Sequence, residues 1–431
     1  MPNVLLTSTK VTREALRVLH NNLVFAKAVN RQYSDQFAIT GAKIGSSINV
    51  RLPNRYYVRT GPVLSAQNTV NSTIPLTLTT QWGVDVNFTT AELTLSLDDF
   101  SNLILTPAMA TVTSRIDRDG LAMFHYVYNQ VGNPGTIPGN AGGVVGTMTN
   151  AAAPAVFLNA GAFLTTYATP RDDNRRICLN QFANASSVGA LAGLLQDSQL
   201  IAQQYRRGVM GVALGFEFAE DQNINFIRTG THAGFATAVV RGAGQTGAFL
   251  NTSGWTPNSL GILQPGEIFT IAGVNSVNPE TQADTGLAAY FVVTGWSVGP
   301  GGIITSTPVN SDAAGWATIP ISPAIIIPGA TVANATVTGS PANNAALTLM
   351  SGAASTNFPQ MLAYHQDAFT LGTADLEMPG GVDFSARETY DGISIRIIRQ
   401  YDINGDNLPC RIDVLGGWQC LRPELACRIT S

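Results

Sequence analysis

Between Arg241 and Arg387 the chain runs for 145 residues, 242–386, without a single lysine or arginine. From about residue 231 to 356 it is built instead from Gly, Thr, Ala, Val, Asn and Pro. Short apolar segments alternate there with turn clusters such as Pro265-Gly266, Asn278-Pro279 and Gly299-Pro300-Gly301-Gly302. Short strands at regular spacing between turn residues predict a small all-β barrel or sandwich. Because it sits inside an otherwise α/β chain, the block reads as an inserted domain.

The cations lie at the other end. All three lysines, Lys10, Lys27 and Lys43, fall in the first 43 residues, and residues 1–60 hold nine basic against two acidic residues, a net +7. The remaining 371 residues carry 15 arginines against 26 acids, a net −11. A basic arm on a weakly acidic body points to an arm that meets an anionic partner and a body that meets something else. Charged residues are 12% of the chain, about half the usual share. Such a composition fits a surface mostly covered by neighbouring subunits, and equally a secreted β-rich adhesin. Disordered chains are charged and poor in apolar residues; this one is neither.

The opening Met-Pro-Asn-Val-Leu-Leu-Thr-Ser lacks a basic region followed by an apolar run, so no signal peptide is expected. The run Ala324–Ile327 is closed by Pro323 and Pro328, and no membrane span is expected. Cys178, Cys410, Cys420 and Cys427 are expected as reduced, mostly buried thiols. His20, His125, His232 and His365 are scattered, and no zinc spacing occurs. No metal and no cofactor are expected.

Periodicity predicts a helix over 12–30, with Thr12 as N-cap and Leu16, Leu19, Leu23 and Ala26 or Lys27 on one face. Alternation then takes over at Ile48/Val50/Leu52, Ile74/Leu76/Leu78 and Trp82/Val84/Val86/Phe88. This predicts a long two-stranded excursion over 43–90, better laid on a neighbour than on its own body, since an isolated ribbon is marginal in water. Asp98 or Asp99 caps a short helix. Thr106-Pro107 opens a long helix to about Gln130, roughly 35 Å at 1.5 Å per residue. Its apolar stripe is Met109, Val112, Ile116, Met123, Val127 and Val131. A Gly/Pro/Asn-rich link over 132–153 leads to a short buried strand at Ala155–Asn159, a helical stretch near 186–207 and β-like sequence over 208–230. Ile393, Ile395 and Ile397 alternate, Asn404-Gly405 signals a hairpin, and 414–429 closes the chain as strand.

Catalytic motifs are weak. Gly242-Ala-Gly244-Gln-Thr-Gly247, with Glu267 twenty residues on, mimics a dinucleotide fingerprint. Asn251-Thr-Ser-Gly254 and Pro257 leave no room for the helix that such a site needs, so a loop is expected. Asp402-Ile-Asn404-Gly-Asp406-Asn407 resembles the start of a calcium loop but has Asn407 and Asp413 where Gly and Glu are required, and reads as a hairpin tip. No nucleophile elbow and no phosphate loop with a lysine occur, and the pairs Asp98-Asp99 and Asp172-Asp173 read as cap and turn. No enzymatic activity is expected.

Three stretches carry a family resemblance: Gly266–Glu280 running on to Phe291-Val-Val-Thr294, Phe157-Leu158-Asn159, and Trp418-Gln-Cys-Leu-Arg422-Pro423-Glu-Leu-Ala426. With the order of elements, they make the chain resemble the major capsid proteins of tailed bacteriophages. It is most similar to the short-tailed Salmonella-type phage coat proteins, which carry an inserted domain. Ala160 stands where the family's Phe-x-Asn-Pro segment has proline. The resemblance implies an α+β chain with the tailed-phage major capsid fold of the Hong Kong phage type. It implies an N-terminal arm (1–35), an extended β-hairpin loop (36–90), a peripheral domain with a spine helix (91–130) and an axial domain (131–225). The inserted small β-barrel domain would cover 226–356, and 357–431 would complete the peripheral and axial domains.

It further implies self-assembly into pentamers and hexamers of an icosahedral shell around double-stranded DNA bound without sequence preference. Scaffolding and portal proteins would be further partners, with assembly in the host bacterial cytoplasm, residence in the virion and no membrane partner. A bacterial nanocompartment shell shares the fold. Lys10, Arg13, Arg17, Lys27 and Arg31 would face scaffold or DNA, while Arg51, Arg55, Arg59 and Arg241 would make subunit contacts. The candidate inter-capsomer loop, 241–258, holds only Arg241 as a charge. Some phage capsids cross-link a lysine of the extended loop to asparagine; Lys43 is the only lysine near that loop, 36–90, here. Denaturing gels of purified particles are therefore expected to show a single monomer band, and a ladder of covalent multimers would contradict this.

Overall fold

A computed structural model of the chain describes residues 8–32, 47–56, 58–59, 61–64, 66–67, 71–87, 105–138, 153–191, 210–298, 304–329 and 332–431. The expectations at Lys43, Phe88, Asp98-Asp99, most of the 132–153 link and the helical stretch beyond residue 191 lie outside these residues.

The N-terminal segment forms two helices, α1 (Ser8–Asn22) and α2 (Phe25–Ala28), rather than one helix over 12–30. The break at Leu23-Val24 has a tertiary cause. The buried carboxylate of Asp117 accepts hydrogen bonds from the backbone N–H groups of Val24 and Ala26, both at 2.8 Å. Those amides bond to a side chain far along the chain, so the helical pattern is interrupted there.

β1 (Ser47–Arg51) and β2 (Thr73–Thr77) pair antiparallel, Ile48 facing Leu76 and Val50 facing Ile74. β3 (Thr80–Val86) does not extend this ribbon; it pairs with a C-terminal strand of the body. The expected excursion over 43–90 is thus shorter at its far end, and its root packs on the body through Val50, Leu76 and Leu421. Period two identifies a strand but not its partner.

α3 (Thr106–Leu121) starts as expected but ends well before Gln130. A 3-10 turn, Ala122–Tyr126, follows it, and β4 (Gln130–Val131) then runs parallel to the last strand of the chain. α4 (Ala153–Thr166) stands where a strand was expected at Ala155–Asn159. Phe157, Ala160 and Leu164 are fully buried at i, i+3 and i+7, a helical face that the short apolar run conceals. Next come β5 (Arg175–Leu179), α5 (Gln181–Leu191), β6 (Val212–Ala213), β7 (Phe216–Glu220) and β8 (Phe226–Arg228).

The low-charge block contains β9 (Val239–Val240), β10 (Gly247–Ser253), β11 (Ile268–Val277), β12 (Asp284–Val293), β13 (Trp296–Val298), β14 (Ile304–Ser306), β15 (Trp316–Ile325) and β16 (Leu347–Leu349). Six of these line up as β16-β11-β12-β15-β10-β9. A bridge from Val239 to Ala346 brings the two edges together, so the sheet closes into a barrel around its own core of Val240, Leu250, Phe269, Phe291 and Ile319. β13 and β14 form a separate hairpin.

The chain returns to the body with β17 (Asn357–His365), β18 (Phe369–Ala374), β19 (Phe384–Tyr390), β20 (Ile393–Arg399), β21 (Cys410–Cys420) and β22 (Ala426–Thr430). One body sheet runs β4-β22-β17-β5-β7-β6, with β8 also on β17; the other runs β18-β21-β20-β19, with β3 on β21. A single core joins both sheets to α1, α3 and α4. At its centre Phe25 packs against Tyr364, Phe369 and Trp418, with ring centroids 5.1–5.7 Å apart. The architecture is mixed α+β. All four cysteines are buried and unpaired, and among the described residues no helix is long and apolar enough to cross a membrane.

Candidate assembly surfaces

The N-terminal cations divide by what they touch. α1 turns Ala15, Leu16 and Leu19 into the core and lays Arg13 and Arg17 outward. Arg13 reaches Glu388 at 3.3 Å, yet its side chain stays 69% exposed, and Arg17 pairs with Glu14 one turn back. The Arg17 hydrogen bond holds the Glu14 carboxyl below its ordinary range despite some burial. Lys27 is exposed. Arg31 is drawn onto the body instead: its guanidinium lies 2.7 Å from Asp391 in the β19–β20 turn, where His20 also meets that carboxylate at 2.9 Å. Burial works to raise Asp391, but the bonds from His20 and Arg31 outweigh it and hold the group low. The side chain of Lys10 lies outside the described residues.

The extended hairpin carries the other cations. Arg55 spans to Glu424 at 3.1 Å, and Arg422 reaches the same oxygen at 3.3 Å. Arg55 therefore ties the ribbon to its own body before any neighbour is considered. Arg51 and Arg59 are exposed, and Arg59 bonds the carbonyl of Gly61. Beyond the ribbon Val58, Val63 and Leu64 are 90%, 80% and 83% exposed. Sequence reasoning followed the charges here and missed these apolar positions, which are visible only as isolated residues within a polar link.

On the inserted barrel, the glycine motif is a turn between β9 and β10. Gly242, Gly244 and Gly247 all have positive φ, conformations that glycine adopts freely, and no helix follows. The Arg241 guanidinium lies 4.0 Å over the Trp316 ring, a stacking worth roughly 0.5–1 kcal/mol when exposed. Glu267, the acid of the apparent fingerprint, is fully buried. It accepts hydrogen bonds from the Gly230 and Gln264 amides at 3.0 and 2.6 Å and meets His232 Nε2 at 2.6 Å. These bonds tie Gly230 and His232, where the chain enters the barrel, to the turn at Gln264–Glu267.

Asp117, Asp391, Glu388 and Glu424 were not singled out from the sequence. Asp117 alone left a sign, a carboxylate beside Ile116 on an otherwise apolar stripe. Among the described residues no group of three or more His, Cys, Asp or Glu could hold a metal.

These surfaces belong to a protein built for association. Residues 3–428 match the family model described as P22 coat protein - gene protein 5, and the chain belongs to that family. It is a bacteriophage major capsid protein, a structural component of the virion. No curated protein matches the chain. Among solved structures it is similar to a Mycobacterium phage Che8 chain, at 11% identity over 94% of this chain and 90% of that one, with a TM-score of 0.44. It is also similar to a Ralstonia phage GP4 capsid chain, at 8% identity over 91% and 85%, with a TM-score of 0.42. A capsid chain of the cyanophage P-SCSP1u follows, at 9% identity over 89% and 83%, with a TM-score of 0.40. The assignment rests on the family match. The match is to a phage coat family, so neither a secreted adhesin nor a nanocompartment shell is retained as a reading.

Proposed function

We propose that copies of this chain associate into pentamers and hexamers and close an icosahedral shell around double-stranded DNA. In this reading a scaffolding protein and a portal protein join assembly in the host bacterial cytoplasm. The subdomains are those drawn from the resemblance: arm 1–35, extended loop 36–90, spine region 91–130, axial domain 131–225, inserted barrel 226–356 and the closing segment 357–431. One observation carries the reading. The link that joins β1 to β2 exposes Val58, Val63 and Leu64, which nothing among the described residues covers. A two-stranded ribbon with an uncovered apolar tip is marginal in water and gains stability when a second copy covers it.

The cations take two roles in this proposal. Lys10, Arg13, Arg17 and Lys27 serve an anionic interior partner, acidic scaffold first and DNA later, as non-specific phosphate binding requires. Arg51 and Arg59 meet acidic groups on the next subunit. Arg31 and Arg55 act mainly within their own subunit, because Asp391 and Glu424 already hold them, and Arg241 is half-committed to Trp316. Charge reversal at Arg13 and Arg17 is expected to impair scaffold-dependent assembly while leaving finished shells stable. Reversal at Arg51 and Arg59 is expected to permit assembly but weaken the shell. Electron microscopy and shell disassembly in urea check both. The same defect from both pairs, or only soluble monomers from the unaltered protein with scaffold present, would count against the reading.

A further inference from the structure

The junction between α1 and α2 is organised around a carboxylate that, among the described residues, forms no ion pair. Asp117, on α3, is 1% exposed, and its two oxygens accept the Val24 and Ala26 amides. Asp221, just after β7, is 4% exposed. Its Oδ1 accepts from the backbone and side-chain nitrogens of Asn223, while its Oδ2 has no hydrogen-bond partner among the described residues. We infer that Asp117 and Asp221 form a proton-sensitive joint, which holds the N-terminal segment 8–30 tightly when Asp117 is neutral and loosens it when Asp117 ionises.

Burial is the first reason: Asp117 and Asp221 are 1% and 4% exposed. Asp117 feels the charge of Asp221, and the Cys178 thiol of β5 and the Tyr364 phenol of β17 feel that of Asp117 in turn; all four are acids. Among the described residues neither aspartate takes part in an ion pair. Two ionised carboxylates cannot share such a site cheaply, and burial disfavours the charge in the first place. Burial, then Asp221, raise the Asp117 carboxyl to about 7, against the lowering effect of the arm's amides. When the segment opens, water reaches Asp117 and its ordinary acidity returns.

The sign follows from linkage. A carboxyl raised in the closed state contributes closed-state stability that is fully present below its ordinary value of 3.8, and that stability is lost as pH rises through about 7. Opening therefore grows with pH and levels off above 7. The outer face of α1 is held by Arg13 on Glu388 and by His20 and Arg31 on Asp391. Asp391 is held below its ordinary range, so it stays ionised across the pH window of interest. His20 is common to every variant compared.

The test is hydrogen exchange on the full-length soluble subunit from pH 5 to pH 8, expressed as protection factors so that the intrinsic pH dependence is removed. The opening constant of amides in 8–30 is expected to rise by up to about 100-fold over that range, while amides of β11 in the barrel do not follow. Asp117→Asn is expected to abolish the rise. Asp221→Asn loses no hydrogen bond at Oδ2; it removes the facing charge and is expected to move the plateau to lower pH with a smaller total rise. A flat profile in the unaltered protein would overturn the inference. So would a rise in Asp221→Asn parallel to that of the unaltered protein, which decides the matter even if Asp117→Asn does not fold.

Discussion

Replacing Glu267 by alanine is expected to destabilise the inserted barrel by about 3 kcal/mol or more. Three groups lose their acceptor at once: the Gly230 amide, the Gln264 amide and His232 Nε2. A buried donor left unsatisfied costs about 1–3 kcal/mol, and removing one member of a buried pair strands the other. The location amplifies the effect. Gly230 lies where the chain passes from body to barrel, and Gly266 sits so close to His125 of the body that a Cβ there would come within 2.7 Å of its ring. Urea unfolding followed by fluorescence, to which the buried Trp255 contributes, should show a lower midpoint with little change in slope if the barrel remains compact. His232→Gln, which leaves both amides satisfied, should cost much less. Equal midpoints for Glu267→Ala and the unaltered protein would remove Glu267 from this role.

The second large effect is expected at Gly417. A Cβ there would collide with the backbone carbonyl oxygen of Thr77 and come within 3.1 Å of the Leu78 Cα, where the chain leaves β2 for β3. Its neighbour Gly416 is equally confined, with Trp82 at 2.6 Å and the Gly372 carbonyl at 2.8 Å from a would-be Cβ. A backbone carbonyl cannot rotate away as a side chain can. Gly417→Val should therefore either force the root of the extended hairpin off β21 or distort the sheet, costing roughly 1–3 kcal/mol or more. Gly380→Ala, which meets nothing within 4 Å, serves as the neutral control. The expected readout is a lower unfolding midpoint together with poor shell assembly, because the hairpin would be mis-aimed. A normal midpoint with normal assembly would show that the crossing can relax.

How much could be read in advance depended on the range of the interactions. The barrel was legible because Gly and Pro turns punctuate it locally, and strands between such turns must pair with one another. The hairpin tip at Asp402–Asn407 was legible for the same reason, and the turn closes through mutual hydrogen bonds between those two residues. The segment Ala155–Asn159 was misread because its four apolar residues fit either period; the burial of Phe157, Ala160 and Leu164, and Phe216 at 3.3 Å from a Cβ built on Gly161, show which face is buried. α3 was drawn too long because its apolar stripe continues past Leu121, where Met123, Phe124 and Val127 are still buried but on a tighter turn and then an extended segment. Among the charges, Arg31 and Arg55 could not be told from Arg17 and Arg59, since their partners Asp391 and Glu424 lie more than 350 residues away in sequence.

The sequence by itself determined the asymmetry of charge, the strand-and-turn pattern of the low-charge block and, through the resemblance of particular stretches, the family to which the chain belongs. The first two rest on composition and short-range pattern, which survive without knowledge of the fold. Only the tertiary structure decided which cations remain outward, where β3 pairs, why the first helix breaks and how the barrel is clamped to the body. Those outcomes depend on carboxylates and backbone carbonyls brought together from distant segments, and burial sets their strength once water has been excluded.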